Sequence, residues 1–236
     1  MKITNKPADI SIAVVIPAFN EENAIGKVLN DIPKEWVDGV VVVDNNSSDS
    51  TKEKAKEYGA IVLEEPFQGY GASCLCGINY LMDQDIVADI IVFLDADYSD
   101  FPEELPKIVE PILTQQMDMV IGSRALGNRE PGSMTVPQIF GNWLATKLLR
   151  VFFGVSYTDL GPFRAITTKA LNSLQMQDKT YGWTVEMQVK AAKMNLKTTE
   201  VPVNYKNRVG VSKISGTVKG TVLAGYKIIQ TIFKYA

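Results

Sequence analysis

Two apolar runs in this 236-residue chain end on carboxylates and amides. In IIVFLDADYSD, residues 90–100, Asp95 and Asp97 stand one residue apart. In VVVVDNNSSDST, residues 40–51, four valines run into Asp44, Asn45, Asn46 and Asp49. Two carboxylates this close repel unless a positive charge separates them. Hard oxygen ligands of this kind suit Mg²⁺ or Mn²⁺, held between the pair and a diphosphate. The alternative is a turn that is merely rich in acids, since a bare D-x-D is common. Asp100, near the next helix start, reads as an N-cap. A third stretch, IPAFNEE at 16–22, sets Asn20 and Glu21 at a helix start, where both types also serve as plain caps.

Such residues need elements to position them. Apolar runs predict strands at 11–16, 39–44, 60–65, 89–97 and 118–124, a turn and strand at 158–167, and a strand at 197–206. Helical spacing falls between them, at 21–31, 50–58, 71–83, 102–115, 138–154, 184–194 and 214–235. Alternation with continuously apolar strands predicts an α/β protein whose mostly parallel sheet is covered on both faces. Ligands of such sheets bind beyond the carboxyl ends of the strands, near a switch in strand order. The polar clusters after residues 16, 44 and 95 would then face one crevice. The helix at 138–154 is apolar on nearly every side, which fits deep burial or lipid contact; Trp143, Phe152 and Phe153 are read as core. In the last helix Val218, Val222, Tyr226, Ile229 and Phe233 form a stripe beside Lys219, Lys227 and Lys234. That is the layout of an interfacial helix, or of one packed on the sheet with a lysine-rich outer face.

Hydrophobic content of 46% with 22% charged residues is that of a globular domain and argues against disorder. A net charge of −3 gives no pull toward nucleic acid. The charge is uneven, however: residues 190–236 hold nine Lys or Arg and one acid, Glu200. A basic end of this kind suits phosphates or an anionic membrane surface. There is no histidine, and Cys74 and Cys76 are the only cysteines, which excludes a usual zinc site and reads as free thiols in a reducing compartment. The amino end lacks a signal-peptide layout, and no run approaches the roughly 18 apolar residues of a spanning helix. The expectation is a cytoplasmic protein, or one peripheral on the cytoplasmic face of a membrane with a lipid-surface or membrane-protein partner.

The segments VVIPAFNEENAIGKVL, VVVVDNNSSDST, LDADYSDFPEELP and VIGSR together resemble family 2 glycosyltransferases of the GT-A fold, over about residues 11–125. GSRALGNREPGSM, YTDLGPFRAI, YGWTVEMQVKAA and EVPVNYKNRVGVSK extend the resemblance to about residue 215. They are similar to the branch of dolichol-phosphate mannose synthases and polyprenyl-phosphate glucosyltransferases. The resemblance implies a Rossmann-like GT-A domain over residues 1–213, a mixed, mostly parallel sheet flanked by helices, then an amphipathic helix at 214–236. It implies a metal-dependent, inverting transfer of glucose or mannose from a UDP- or GDP-hexose to a polyprenyl or dolichyl phosphate. In that reading Pro17, Ala18, Asn20 and Glu21 line the nucleotide pocket and Asp44 meets base or ribose. Asn45 replaces an aspartate found in many members. Gln68, Gly69, Gly71 and Ala72 let the backbone approach the nucleotide. Asp95 and Asp97 hold the metal on the donor diphosphate, and Asp97 is essential. Arg124, Arg129 and Arg164 are placed for phosphate, Arg129 and Arg164 on the acceptor side. Arg208, Ser212 and Lys213 match an R-x-x-G-x-S-K segment that closes over the diphosphate. Thr184 stands where the mannose synthase branch often has Gln, so the third metal ligand is open. Glu186 is the substitute, or a capping carboxylate.

An acceptor hydroxyl needs a general base, and this chain has no histidine. A phosphate monoester is already ionised, so the demand moves to the leaving nucleoside diphosphate, where a metal with Arg208 and Lys213 would neutralise charge. Three rivals keep parts of this reading. A hydroxyl-acceptor transferase would need Asp159 or Glu186 as base. A silent nucleotide-sugar binder or membrane scaffold would bind without turnover. A nucleotidyltransferase would need a glycine- and arginine-rich loop after the first strand, which is not seen.

Overall fold

The computed structural model describes residues 5–84, 88–210 and 218–236, with side chains in the last stretch from residue 220. Seven strands form one sheet: β1 (Ile12–Ala18), β2 (Gly39–Asp44), β3 (Ile61–Glu64), β4 (Ile90–Phe93), β5 (Met119–Ser123), β6 (Arg164–Thr167) and β7 (Thr198–Pro202). Their order is β3-β2-β1-β4-β6-β5-β7. All neighbours are parallel except β6, which runs antiparallel to β4 and β5. Eight α-helices flank the sheet among the described residues: α1 (Ile25–Asp31), α2 (Thr51–Glu57), α3 (Tyr70–Met82), α4 (Leu105–Gln115), α5 (Val136–Phe153), α6 (Thr168–Leu174), α7 (Trp183–Lys193) and α8 (Val218–Tyr235).

Alternate side chains of each strand feed two cores, because the pleat sends neighbours to opposite faces. Ala13, Val15, Val41, Val43, Ile91 and Phe93 join one core, with α3, α5, α7 and Ile232 of α8. Ile12, Val14, Ile16, Val42, Ile90 and Val92 join the other, with α1 and α4. Burial on both sides is why the valine run carries no polar residue until Asp44.

The chain moves outward from β1 to β2 and β3, then returns to lay β4 on the other side of β1. That reversal opens a crevice at the carboxyl ends of β1 and β4. Pro17 does not stop β1. Pairing with β4 ends at Val15↔Phe93, while pairing with β2 continues through Pro17↔Val43 to Ala18↔Asp44. The missing N–H therefore falls beyond the β4 ladder, where a central strand tolerates proline. The run predicted as a strand to 97 leaves the ladder at Phe93, so Asp95 and Asp97 stand in the turn beyond it.

Trp143 and Phe152 are not core: they are 53% and 44% exposed on α5. α5 starts at a full capping box between Thr135 and Gln138 and stops at Gly154 in the left-handed region. α8 packs along it, with the Phe152 and Phe233 rings edge to face at 5.3 Å.

Candidate active site

The carboxyl ends of β1, β2 and β4 border a cleft of about 390 Å³. Pro17, Ala18 and Glu21 reach it from β1, Asn45 from β2, and Asp95, Ala96 and Asp97 from β4. Gln68, Gly69, Tyr70 and Ser73 come from the start of α3, and Thr180, Tyr181 and Arg208 close the far side.

Negative charge is crowded here. Asp95 Oδ1 is buried with no hydrogen-bond partner. Burial and the charge of Asp97 push the Asp95 carboxyl up to about 7. Asp97 Oδ1 accepts from the Ser99 amide at 2.9 Å and from the Ser99 hydroxyl. Its Oδ2 lies 3.2 Å from Arg208 Nη1, and Arg208 Nη2 reaches Glu21 Oε1 at 2.6 Å, so one guanidinium bridges two acids. Asp100 caps no helix; it is 1% exposed with both oxygens unpartnered. Burial and the charges of Asp95 and Asp97 push it well above the usual carboxylate range. An orphaned buried oxygen beside a second carboxylate fits a divalent cation, and Asp95 with Asp97 are the residues that would hold it. Among the described residues, no group of three or more His, Cys, Asp or Glu is placed to hold a metal alone. The remaining ligands would come from a bound anion and water.

Several expected site residues have other work. Gly69 and Gly71 admit backbone from the protein itself. A Cβ on Gly69 would meet the Lys179 carbonyl at 2.1 Å, and one on Gly71 the Asp178 carbonyl at 2.0 Å. The first amides of α3 are likewise taken, Gly71 N–H by Thr180 O at 3.3 Å and Ala72 N–H by Lys179 O at 2.9 Å. Asn45 staples the preceding loop: its Nδ2 donates to Glu65 O and Phe67 O, and its Oδ1 accepts from Gly69 N–H, each at 2.8 Å. Asn20 sits at φ 53° and its Oδ1 accepts from Ser48 N–H at 2.8 Å. Asp44 lines a separate depression of about 220 Å³ with Asp49, Lys52 and Glu64.

The arginines divide. Arg208 alone lines the cleft. Arg124 is locked in a two-pronged pair with Asp159, at 2.8 and 2.7 Å, and stacks over Tyr205. Arg129 is exposed, with Nη1 3.5 Å from Met134 Sδ. Arg164 corrects the expectation of an acceptor-phosphate contact. It is fully buried, and its guanidinium donates to the carbonyls of Leu160, Gly161 and Thr184. Burial lowers it to about 10, and it serves as a strut under the site.

Glu186 is likewise no third metal ligand. At 1% exposure it accepts from the Gln177 and Asp178 amides and the Tyr235 hydroxyl, and pairs with Lys190 at 2.8 Å. Thr184 offers its carbonyl to Arg164 and does not reach the cleft. Ser212, Lys213 and the expected helix start at 214 lie outside the described residues. The sequence reading missed Tyr70, Ser73, Thr180 and Tyr181. The last two sit in a loop with no periodic signal, and only the glycines at 69 and 71, which demand a close neighbour, pointed toward them.

The sequence profile of glycosyl transferase family 2 matches residues 13–175. An uncharacterized glycosyltransferase of Mycobacterium tuberculosis is 33% identical over 217 residues, 91% of this chain and 94% of its own length. An undecaprenyl-phosphate mannosyltransferase of Micrococcus luteus is 27% identical over 224 residues, 89% of each chain. The crystal structure of glucosyl-3-phosphoglycerate synthase from Mycobacterium tuberculosis, in complex with Mn²⁺, UDP and glucosyl-3-phosphoglycerate, matches with a TM-score of 0.78. That match covers 97% of this chain and 80% of that one at 22% identity, and it establishes the shared GT-A fold.

Proposed function

This chain belongs to glycosyl transferase family 2, and on that footing we propose that it transfers a hexose, with inversion, from a UDP- or GDP-hexose to a polyprenyl phosphate. The observation that carries the reading is the Asp95–Asp97 pair, with its orphaned oxygen, in a cleft at the strand-order switch. A divalent cation bound there would supply neutralising charge to the leaving nucleoside diphosphate. Arg208, already poised between Glu21 and Asp97, is the protein's own cation for the same oxygens. In this reading Lys213 of the same segment is a second cation, and Ser212 a hydroxyl donor to the nucleotide sugar.

The state of the candidate bases bears on the acceptor. Asp159 and Glu186 are the acids a hydroxyl acceptor would call on, and each is buried and multiply hydrogen-bonded. Burial works against it, yet the Arg124 guanidinium holds the Asp159 carboxyl below the usual range. A weakened base behind a salt bridge favours an acceptor that arrives ionised. The likeness to an undecaprenyl-phosphate mannosyltransferase agrees with this. Arg129, exposed beyond the cleft, is the arginine left for an acceptor phosphate.

A lipid substrate needs a route to the surface where it lives. No described helix is long and apolar enough to cross a membrane. Instead α5 and α8 expose Phe140, Trp143, Val151, Val222, Tyr226 and Phe233. Neither helix contains an Asp or Glu, in a chain of net charge −3. Apolar and aromatic side chains on helices whose own charges are all cations suit an anionic head-group surface.

Thermal-shift titration with UDP, GDP, CDP and dTDP, each with and without Mn²⁺, tests the donor site. A cation-dependent rise with one nucleotide, lost in Asp97→Asn, is expected, followed by transfer to polyprenyl phosphate. No shift with any nucleotide at millimolar concentration on folded protein overturns the reading.

A further inference from the structure

Thr180 and Tyr181, which wall the cleft, belong to no helix or strand. Two carboxylates hold their loop. Glu186 accepts from the Asp178 amide at 2.7 Å and the Gln177 amide at 3.1 Å. Asp178 Oδ1 accepts from the Thr180 amide at 2.8 Å, the Gly182 amide at 3.1 Å and the Thr180 hydroxyl at 3.1 Å. Both carboxylates are then claimed by α8. Lys227 Nζ lies 3.1 Å from Asp178 Oδ2, and the Tyr235 hydroxyl donates to Glu186 Oε1 at 2.8 Å. Between them Thr231 stands over Gly182, where a Cβ would come within 2.5 Å of its hydroxyl. Lys227, Thr231 and Tyr235 are spaced by four, so one face of α8 reads the whole loop. On its other side the loop presses its carbonyls against Gly69 and Gly71.

We propose that α8 braces the donor cleft, with Lys227 and Tyr235 as positioning residues that set Thr180 and Tyr181 against Gly69 and Tyr70 through Asp178 and Glu186. The inference rests on the cleft being the nucleotide-sugar site. Neither residue lines the cleft. The Lys227 side chain is 36% exposed against 8% for Asp178, and Asp178 keeps three hydrogen bonds through its other oxygen when the lysine is removed, which limits the loss of stability. Its effect is on geometry, to which a binding site is far more sensitive.

The test is calorimetric titration of the nucleotide that wild type binds, with Mn²⁺, into Lys227→Met, Lys227→Arg, Tyr235→Phe and the exposed control Val222→Ser. Binding is expected to weaken about tenfold in Lys227→Met and Tyr235→Phe, and to recover in Lys227→Arg, with Tm and the control unchanged. Hydrogen exchange at the Thr180 and Gly182 amides should quicken in Lys227→Met. Unchanged affinity in both variants, or a loss of Tm with affinity intact, overturns the brace while leaving the donor reading in place. Failure of wild type to bind any nucleotide overturns both together.

Discussion

Asp159, one of the two bases a hydroxyl acceptor would need, is tied up in a two-pronged pair with Arg124. It is 1% exposed, faces Arg124 at 12% side-chain exposure, and accepts the Arg124 amide as well. Removing it leaves a guanidinium with no counter-charge in the interior. Asp159→Ala is expected to cost about 3–5 kcal/mol, read from urea unfolding. The pair also sets an acid limit. Because the folded carboxyl titrates below its unfolded value, its contribution is full above about pH 4 and drains away as pH falls through the folded value. A plot of Tm against pH should therefore bend downward below about pH 4, and Asp159→Asn should flatten that bend. At this scale Asp95, Asp97 and Pro17 were legible as strand ends at a topology switch, and Arg208 only through the resemblance of its segment; all four line one crevice. It misled for Arg164, since nothing in GPFRAI reveals that three carbonyls turn inward to receive a guanidinium.

The elements were more legible than their edges. Valine and isoleucine runs marked β1, β2, β4 and β5 because both faces of those strands are buried. β6 and α6 were harder. β6 has four residues, and α6 has seven, between an N-cap at Thr167 and a left-handed C-cap at Gln175. Propensity says little over such lengths, and tertiary packing decides. The contact between α3 and the 178–180 backbone was partly legible in Gly69 and Gly71, but their partner was taken to be a ligand. Gly71→Ala tests the revised assignment. A Cβ 2.0 Å from a carbonyl oxygen forces the loop away, at an expected cost of about 1–3 kcal/mol with weakened nucleotide binding. Urea unfolding and a nucleotide titration on the same variant check both halves.

For the whole molecule, the distribution of charge matters more than its sum. Acids gather at the cleft, while α5 and α8 carry cations and exposed rings. Flotation with vesicles containing phosphatidylglycerol is expected to recover the protein, neutral phosphatidylcholine vesicles much less, and 0.5 M salt should release a large part. Trp143→Ser combined with Phe233→Ser should reduce recovery at low salt. Equal recovery on neutral vesicles, or a concentration-dependent dimer on gel filtration that vanishes in the double variant, would assign the face to something other than an anionic surface.

The position of α8 in the chain has a temporal meaning. Synthesis runs from the amino end, so β1, β2, β4 and both glycines of α3 leave the ribosome long before Lys227, Thr231 and Tyr235. A nascent chain can lay down most of the sheet, yet on the proposed brace the loop that walls the cleft is unsupported until α8 emerges. On the proposed brace and donor site, a chain whose α8 has not yet emerged is expected to gain less stability from a nucleotide than one that carries it.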